Sequence, residues 1–207
     1  IVPILISTAL VGFNKAFYGI LMWAGTILYI IYTYIIYCFN VHFNVLFVNY
    51  CLILGLSFYA MIYFLIKDGN YDREVQSAKV TNFIGIYFLA ISAIFYFLWL
   101  SDIIPSISNQ STPQSIIDAG LFIYPVHVLD LSIVLPGIFI AGVLILRKNK
   151  IGLFMAPILL MFFVLMDLTI GGLTLIMKLT GEDVSLVVSF VMGGLAIVNL
   201  FLLMVFK

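Results

Sequence analysis

The sequence predicts an all-α, polytopic transmembrane bundle of seven helices, and three observations carry that prediction. Hydrophobic residues fill 65% of the 207 positions and charged residues 9%, whereas soluble domains run near half apolar and a quarter charged. The apolar residues come in runs of about 20, the length that crosses the hydrocarbon core of a bilayer. The basic residues gather in alternate links between those runs, as the positive-inside rule requires. Membrane β-strands would instead alternate apolar and polar over about ten residues, a period no segment shows.

Taken in order, the predicted spans are 1–13, 19–39, 43–66, 81–104, 125–146, 151–177 and 184–206. The first begins at Ile1 inside an apolar run and reads as truncated. The links between them are short: FNKAFY around Lys15, NVHFN, KDGNYDREVQSAK, SDIIPSISNQSTPQSIIDAG, RKNK and KLTGED. Lys15, Lys67, Arg73, Lys79, Arg147, Lys148, Lys150 and Lys207 fall on one side and Lys178 alone on the other. That asymmetry predicts an outside N-terminus and a cytoplasmic C-terminus. The chain reads as one transmembrane domain, 1–207, with an outer loop over 105–124. In that loop Thr112-Pro113 marks a helix start and Gly120 its stop, so a short surface helix is expected.

Smaller features fit the same threading. Trp99 and Tyr124 fall near outer boundaries and Trp23 near an inner one, as interfacial anchors do. Glu182 and Asp183 precede the last span, where acidic groups suit the positive end of a helix dipole. Gly171-Gly172 and Gly193-Gly194 permit close helix packing. Pro136 and Pro157 are expected to kink their helices and free backbone carbonyls that need partners. Cys38 and Cys51 form no C-x-x-C pair and read as buried small hydrophobes. Asn109-Gln110-Ser111 matches a glycosylation acceptor, a pattern common by chance.

Ionisable groups inside spans cost about 2.5–3.5 kcal/mol on insertion scales, so each calls for a reason. Asp102, His127, Asp130 and Asp167 are such groups, with His42 at the tight outer turn between the second and third spans, and all fall in the predicted outer half. By helical rise, Asp130 lies on the order of 8 Å deep and Asp167 on the order of 15 Å. His127 and Asp130 stand at i and i+3 and share a helix face. The carboxylate can fix the imidazole tautomer, or the two can hold a proton or cation together. Asp167 has no basic residue within a turn on its own helix and needs a partner elsewhere. The second and third spans add an unusually polar set, including Tyr29, Tyr32, Tyr37, Asn40, Asn44, Asn49 and Tyr50, of which Tyr29, Thr33 and Tyr37 form one stripe.

These residues point to an outward-facing pocket built from His127, Asp130, Asp167, Asp102, Asn44 and Tyr37. Such a pocket would bind or transport a small ligand, a proton or a cation. An intramembrane enzyme is the alternative, with a metal at His127, Asp130 and His42 or a haem between His42 and His127. A structural subunit whose polar groups only join helices is the third reading, and a homo-oligomer is compatible with all of them. The cofactor stays open, as does any catalytic residue.

Several classes are excluded. A retinal protein needs a lysine deep in the last span, which has none. A three-histidine zinc hydrolase cannot be built from two histidines. No Gly-rich phosphate loop, H-E-x-x-H or G-x-S-x-G occurs, and zero formal net charge gives no attraction to nucleic acid.

Residues 20–50, ILMWAGTILYIIYTYIIYCFNVHFNVLFVNY, and 124–160, YPVHVLDLSIVLPGIFIAGVLILRKNKIGLFMAPILL, together with WLSDIIP at 99–105, resemble a family of uncharacterised bacterial polytopic membrane proteins. The resemblance extends over nearly the whole chain, PVHVLDL included. It implies a bacterial inner membrane and the threading above, and brings no activity or catalytic residue with it. At position 124 the family pattern has Asn where this chain has Tyr.

Overall fold

The computed structural model describes residues 5–6, 17–68, 77–118 and 120–206. Its helices are α1 (Phe17–Asn40), α2 (Phe47–Asp68), α3 (Ala78–Ser108), α4 (Gln114–Asp118), α5 (Pro125–Leu129), a π-helical turn (Asp130–Val134), α6 (Leu135–Leu146), α7 (Lys150–Leu179) and α8 (Leu186–Val205). No strand occurs among the described residues. Six stretches are long and apolar enough to cross a membrane, with α5, the π turn and α6 forming one of them. The last six predicted spans each fall on one of these stretches. The first, 1–13, lies outside the described residues except for Leu5 and Ile6, which are helical. Lys15, Arg73 and Lys207 lie outside them too. The protein is thus a multi-pass helical membrane protein.

Successive crossings bring the α1–α2, α3–α5 and α7–α8 connections to one end of the bundle, called the upper end below. α7 runs through the centre, with 78% of its apolar window buried inside the protein against 11% for α2. The reason is in its sequence: GLFMAPILLMFFVL is apolar all round, so it has no face to leave outside the bundle. α1, α6 and α8 pack on α7, α3 packs on α6, and α2 packs on α1.

Glycines set the closest approaches, as small residues do where helices meet without a hydrophobic drive between them. A Cβ on Gly25 would stand 2.5 Å from the Ile158 carbonyl, fixing the α1–α7 crossing. Gly85 and Gly142 face one another between α3 and α6, each Cβ position 3.0–3.1 Å from the other's carbonyl oxygen. Of the predicted glycine pairs, Gly171 does pack, with its Cβ position 3.2 Å from Met192 of α8, while Gly172, Gly193 and Gly194 meet open space.

Some boundaries differ from expectation. α3 continues through Pro105 to Ser108, taking 105–108 out of the predicted loop. α8 opens at Leu186, with the Ser185 hydroxyl accepting from the Val187 amide, so Glu182 and Asp183 lie ahead of the helix and not in its first turn. They belong to a turn that Gly181 makes with φ +96, and Asp183 pairs with Lys178 at 3.7 Å. Cys51 is exposed and Cys38 half-buried, so neither is the buried hydrophobe expected.

Candidate functional site

Pro125 occupies the first turn of α5, where its missing N–H costs nothing and its fixed φ suits the helix. Two residues on comes His127, and at Asp130 the helix widens into the π turn, closed by the Leu135 amide bonding the Asp130 carbonyl. Pro136 follows immediately. In the π register its absent N–H would have reached the Leu131 carbonyl; the Tyr96 hydroxyl donates there instead, at 3.4 Å. Ser92 donates to the Leu135 carbonyl at 3.0 Å. The carbonyls around the proline thus find partners on α3, as the sequence led one to expect. The π turn also offsets Asp130 from the packing register of α6.

Asp130 is buried and fully engaged. Its Oδ1 accepts from the Tyr32 hydroxyl of α1 at 2.9 Å, and its Oδ2 accepts from the Trp99 indole of α3 at 2.8 Å. The two hydrogen bonds join three helices at one carboxyl group. Trp99 is therefore more than the interfacial anchor the sequence suggested.

His127 lies between two aromatic rings, 4.7 Å from Trp99 and 5.0 Å from Tyr124 centre to centre. It is only 6% exposed. Asp102 and Asp130 are both close enough to act on it electrostatically, yet no group among the described residues hydrogen-bonds its imidazole. The Asp102 carboxylate instead accepts from Ser115 of α4 at 3.0 Å, which pins the surface helix to the end of α3. Buried polar groups are nearly always paired, so an imidazole without a protein partner needs explaining.

The explanation lies beside it. His127 lines a groove of about 450 Å³ between the end of α3, the 111–116 segment and α5, with Ser106, Ser111, Tyr124 and Ser132 as its other polar contributors. Isoleucines, valine and leucine form the remaining wall together with Pro113. A second groove, about 580 Å³, lies across α5 between that helix and the end of α1, and His42 and Asn40 line it. Ile123 and Val128 belong to both grooves.

The predicted site residues therefore separate. His127, Asp130 and Asp102 come together near the upper end. His42 is exposed on the other side of α5, so the metal set His127, Asp130 and His42 is not gathered. Among the described residues no group of three His, Cys, Asp or Glu could hold a metal ion. Asn44 caps its own turn, donating to the His42 carbonyl at 3.0 Å and accepting from the Leu46 amide at 2.9 Å. Tyr37 sits in an aromatic cluster with Tyr34 and Tyr50 between α1 and α2, away from both grooves. Asp167 stands deeper, buried between α7 and α8, and accepts from the Asn199 amide at 2.8 Å. Tyr29 of α1 meets Thr169, two residues beyond it, at 2.7 Å.

Sequence reading missed three functional partners. Tyr32 stood in the polar set but had no assigned role, and Trp99 was assigned to the interface. Asn199, in AIVNLFLL, was passed over although an amide inside an apolar span is itself a signal. No family model, no curated protein and no solved structure matches this chain.

Proposed function

We propose that this membrane protein is a binding module for a small amphiphilic molecule, taken into the groove beside His127. The carrying observation is the His127 imidazole: buried, without a hydrogen bond from any of the described residues and lining a groove of about 450 Å³. Ligand sites have that character, an apolar cleft of roughly 300–1,000 Å³ with a few placed polar groups. Trp99 and Tyr124 pack against the ring in tilted and edge-on contacts without hydrogen-bonding it, which leaves its nitrogens to a ligand. The groove's apolar wall suits a hydrocarbon chain. Asp102 and Asp130 beside the histidine favour a cationic or hydrogen-donating head group over an anionic one.

With the positive-inside reading, the groove opens to the outer leaflet, and the ligand enters from that side. The resemblance in residues 20–50 and 124–160 supports a bacterial inner membrane as the setting. Release to the other side, which would make the protein a transporter, needs a second opening, and no observation favours one.

Trp99 gives the test its signal. In nanodiscs, with Trp23→Phe removing the other indole, decylamine is expected to change Trp99 fluorescence saturably and decanoate is not. His127→Phe fills the same space without the nitrogens and should abolish saturation. Equal responses to both amphiphiles, or an unchanged response in His127→Phe, would refute the assignment.

A further inference from the structure

The deeper carboxylate is built differently from Asp130. Asp167 lies about 18 Å by helical rise from the upper end of α7, and Asn199 about 20 Å from the upper end of α8, so the pair meets near the middle of a hydrocarbon core about 30 Å thick. Asn199 is 2% exposed. Its Nδ2 donates to Asp167 Oδ2 at 2.8 Å, while its Oδ1, equally buried, has no hydrogen-bond partner among the described residues. Tyr87 of α3 stands close enough to interact with both residues.

An amide has an acceptor and two donors. An ionised Asp167 uses only the donor side, and the acceptor is left idle in a place where idle polar atoms are rare. A neutral Asp167 carries an O–H and needs an acceptor. Asn199 supplies one by turning its amide over. The side chain thus holds in reserve the partner that the other protonation state requires, which a carboxylate fixed in one state would not need.

We propose that Asp167 and Asn199 form a proton-binding site in the middle of the membrane. A proton delivered from water as hydronium bonds to an Asp167 oxygen, giving a neutral carboxylic acid and releasing the water. The new O–H donates to Asn199 Oδ1 after the amide turns. Tyr87, whose hydroxyl both donates and accepts, adjoins the pair in either orientation. Few other groups bear on this equilibrium. α6 and α8 contain no titratable residue, and α1 contains no charged one. Tyr29 of α1 is bonded to Thr169, two residues from Asp167. This site is separate from the His127 groove and does not depend on it.

Infrared difference spectroscopy of the full chain in nanodiscs, between acid and alkaline buffer, reads the proton directly. The wild type is expected to gain a protonated-carboxyl band at acid pH that disappears in Asp167→Asn. In Asn199→Leu the band should move to higher frequency, because the acid loses its hydrogen-bond acceptor. Should Asp167→Asn fail to fold, Asp167→Glu keeps a carboxyl and shifts the same band. Identical difference bands in wild type and Asp167→Asn, or an unshifted band in Asp167→Glu, would overturn the proposal.

Discussion

Asp130 and Asp167 are both buried carboxylates in one helical bundle, yet the protein around them answers burial in opposite ways. Asp130 receives two donors from two different helices, an indole from α3 and a phenol from α1. Asp167 receives one amide from the adjacent helix, and that amide keeps an unpartnered oxygen. A carboxyl group with both oxygens filled by fixed donors is fully satisfied as it stands, and it ties α1, α3 and α5 together. A carboxylate with one adaptable partner can change state without breaking the bundle. The first is built to hold helices together. The second is built to respond.

Removing the tied carboxylate should cost the most. Asp130→Ala leaves a half-buried indole N–H and a buried phenol without an acceptor. Interhelical hydrogen bonds in membrane proteins are worth about 0.6 kcal/mol on average and up to about 1.7, so losing two, with a cavity added, should destabilise by about 2–3 kcal/mol. Asp167→Ala breaks one bond and should cost about 1 kcal/mol. Unfolding in detergent mixtures measures both. Equal losses would erase the distinction between the two sites.

The same comparison can be broken from a distance. Gly85 and Gly142 bring α3 and α6 into backbone contact, and α3 carries Trp99 while α6 continues from Asp130. Gly85→Val would drive a side chain into Leu146, whose Cγ is 2.7 Å from the Cβ position, and into the Gly142 carbonyl. Overpacking of this kind costs about 1–3 kcal/mol. The expected readout is a shift in Trp99 emission as the indole leaves Asp130, with a smaller change in the infrared signature of Asp167, since Asp167 and Asn199 lie on α7 and α8 and only Tyr87 of that site rides on α3.

Tyr32→Phe is a milder cut. It removes one of the two donors to Asp130 and leaves the ring in its edge contact with Phe162, 5.7 Å away. One interhelical bond corresponds to about 1 kcal/mol, and stability should fall by that much in the same unfolding assay. A loss as large as that of Asp130→Ala would mean that the tyrosine, and not the carboxylate, joins the helices.

How much of this the sequence held depends on the kind of interaction. The spans were legible because hydrophobic run length is a local property, and only their ends moved by a few residues, as at the Ser185 cap and where α3 runs on past Pro105. His127 and Asp130 were legible as a pair because three residues on a helix is also local. Their partners were not. Tyr32 and Trp99 are 98 and 31 residues from Asp130, and nothing in a single sequence says which of several tyrosines faces it. The separation of His42 from His127 was hidden for the same reason: both fall at the upper end, but the side of α5 each occupies is a packing outcome. Glycines misled in a similar way. The visible doublets at 171–172 and 193–194 pack through Gly171 alone, while the closest contacts fall on single glycines, Gly25, Gly152 and Gly85.

That last contrast gives the smallest expected effect and the finest test of the Asp167 site. Gly171 and Gly172 are neighbours on α7, one turn from Asp167, but they face differently. A Cβ on Gly171 would stand 3.2 Å from Met192 Cβ and 3.5 Å from the Ser189 carbonyl, whereas a Cβ on Gly172 meets nothing within 4 Å. Ser189 also donates to the Gly171 carbonyl at 2.8 Å, clamping α8 to α7 there. Gly171→Ala must therefore push α8 away by a few tenths of an ångström, at a cost below about 1 kcal/mol. Gly172→Ala should be neutral or slightly stabilising, because alanine suits a helix better than glycine by roughly 0.5–1 kcal/mol. Because Asn199 rides on α8, Gly171→Ala should also lengthen its bond to Asp167 and move the Asp167 carboxyl band, while Gly172→Ala leaves the band in place. If both variants moved it equally, the α7–α8 contact would not be what positions the amide, and the responsive character of Asp167 would have to come from α7 alone.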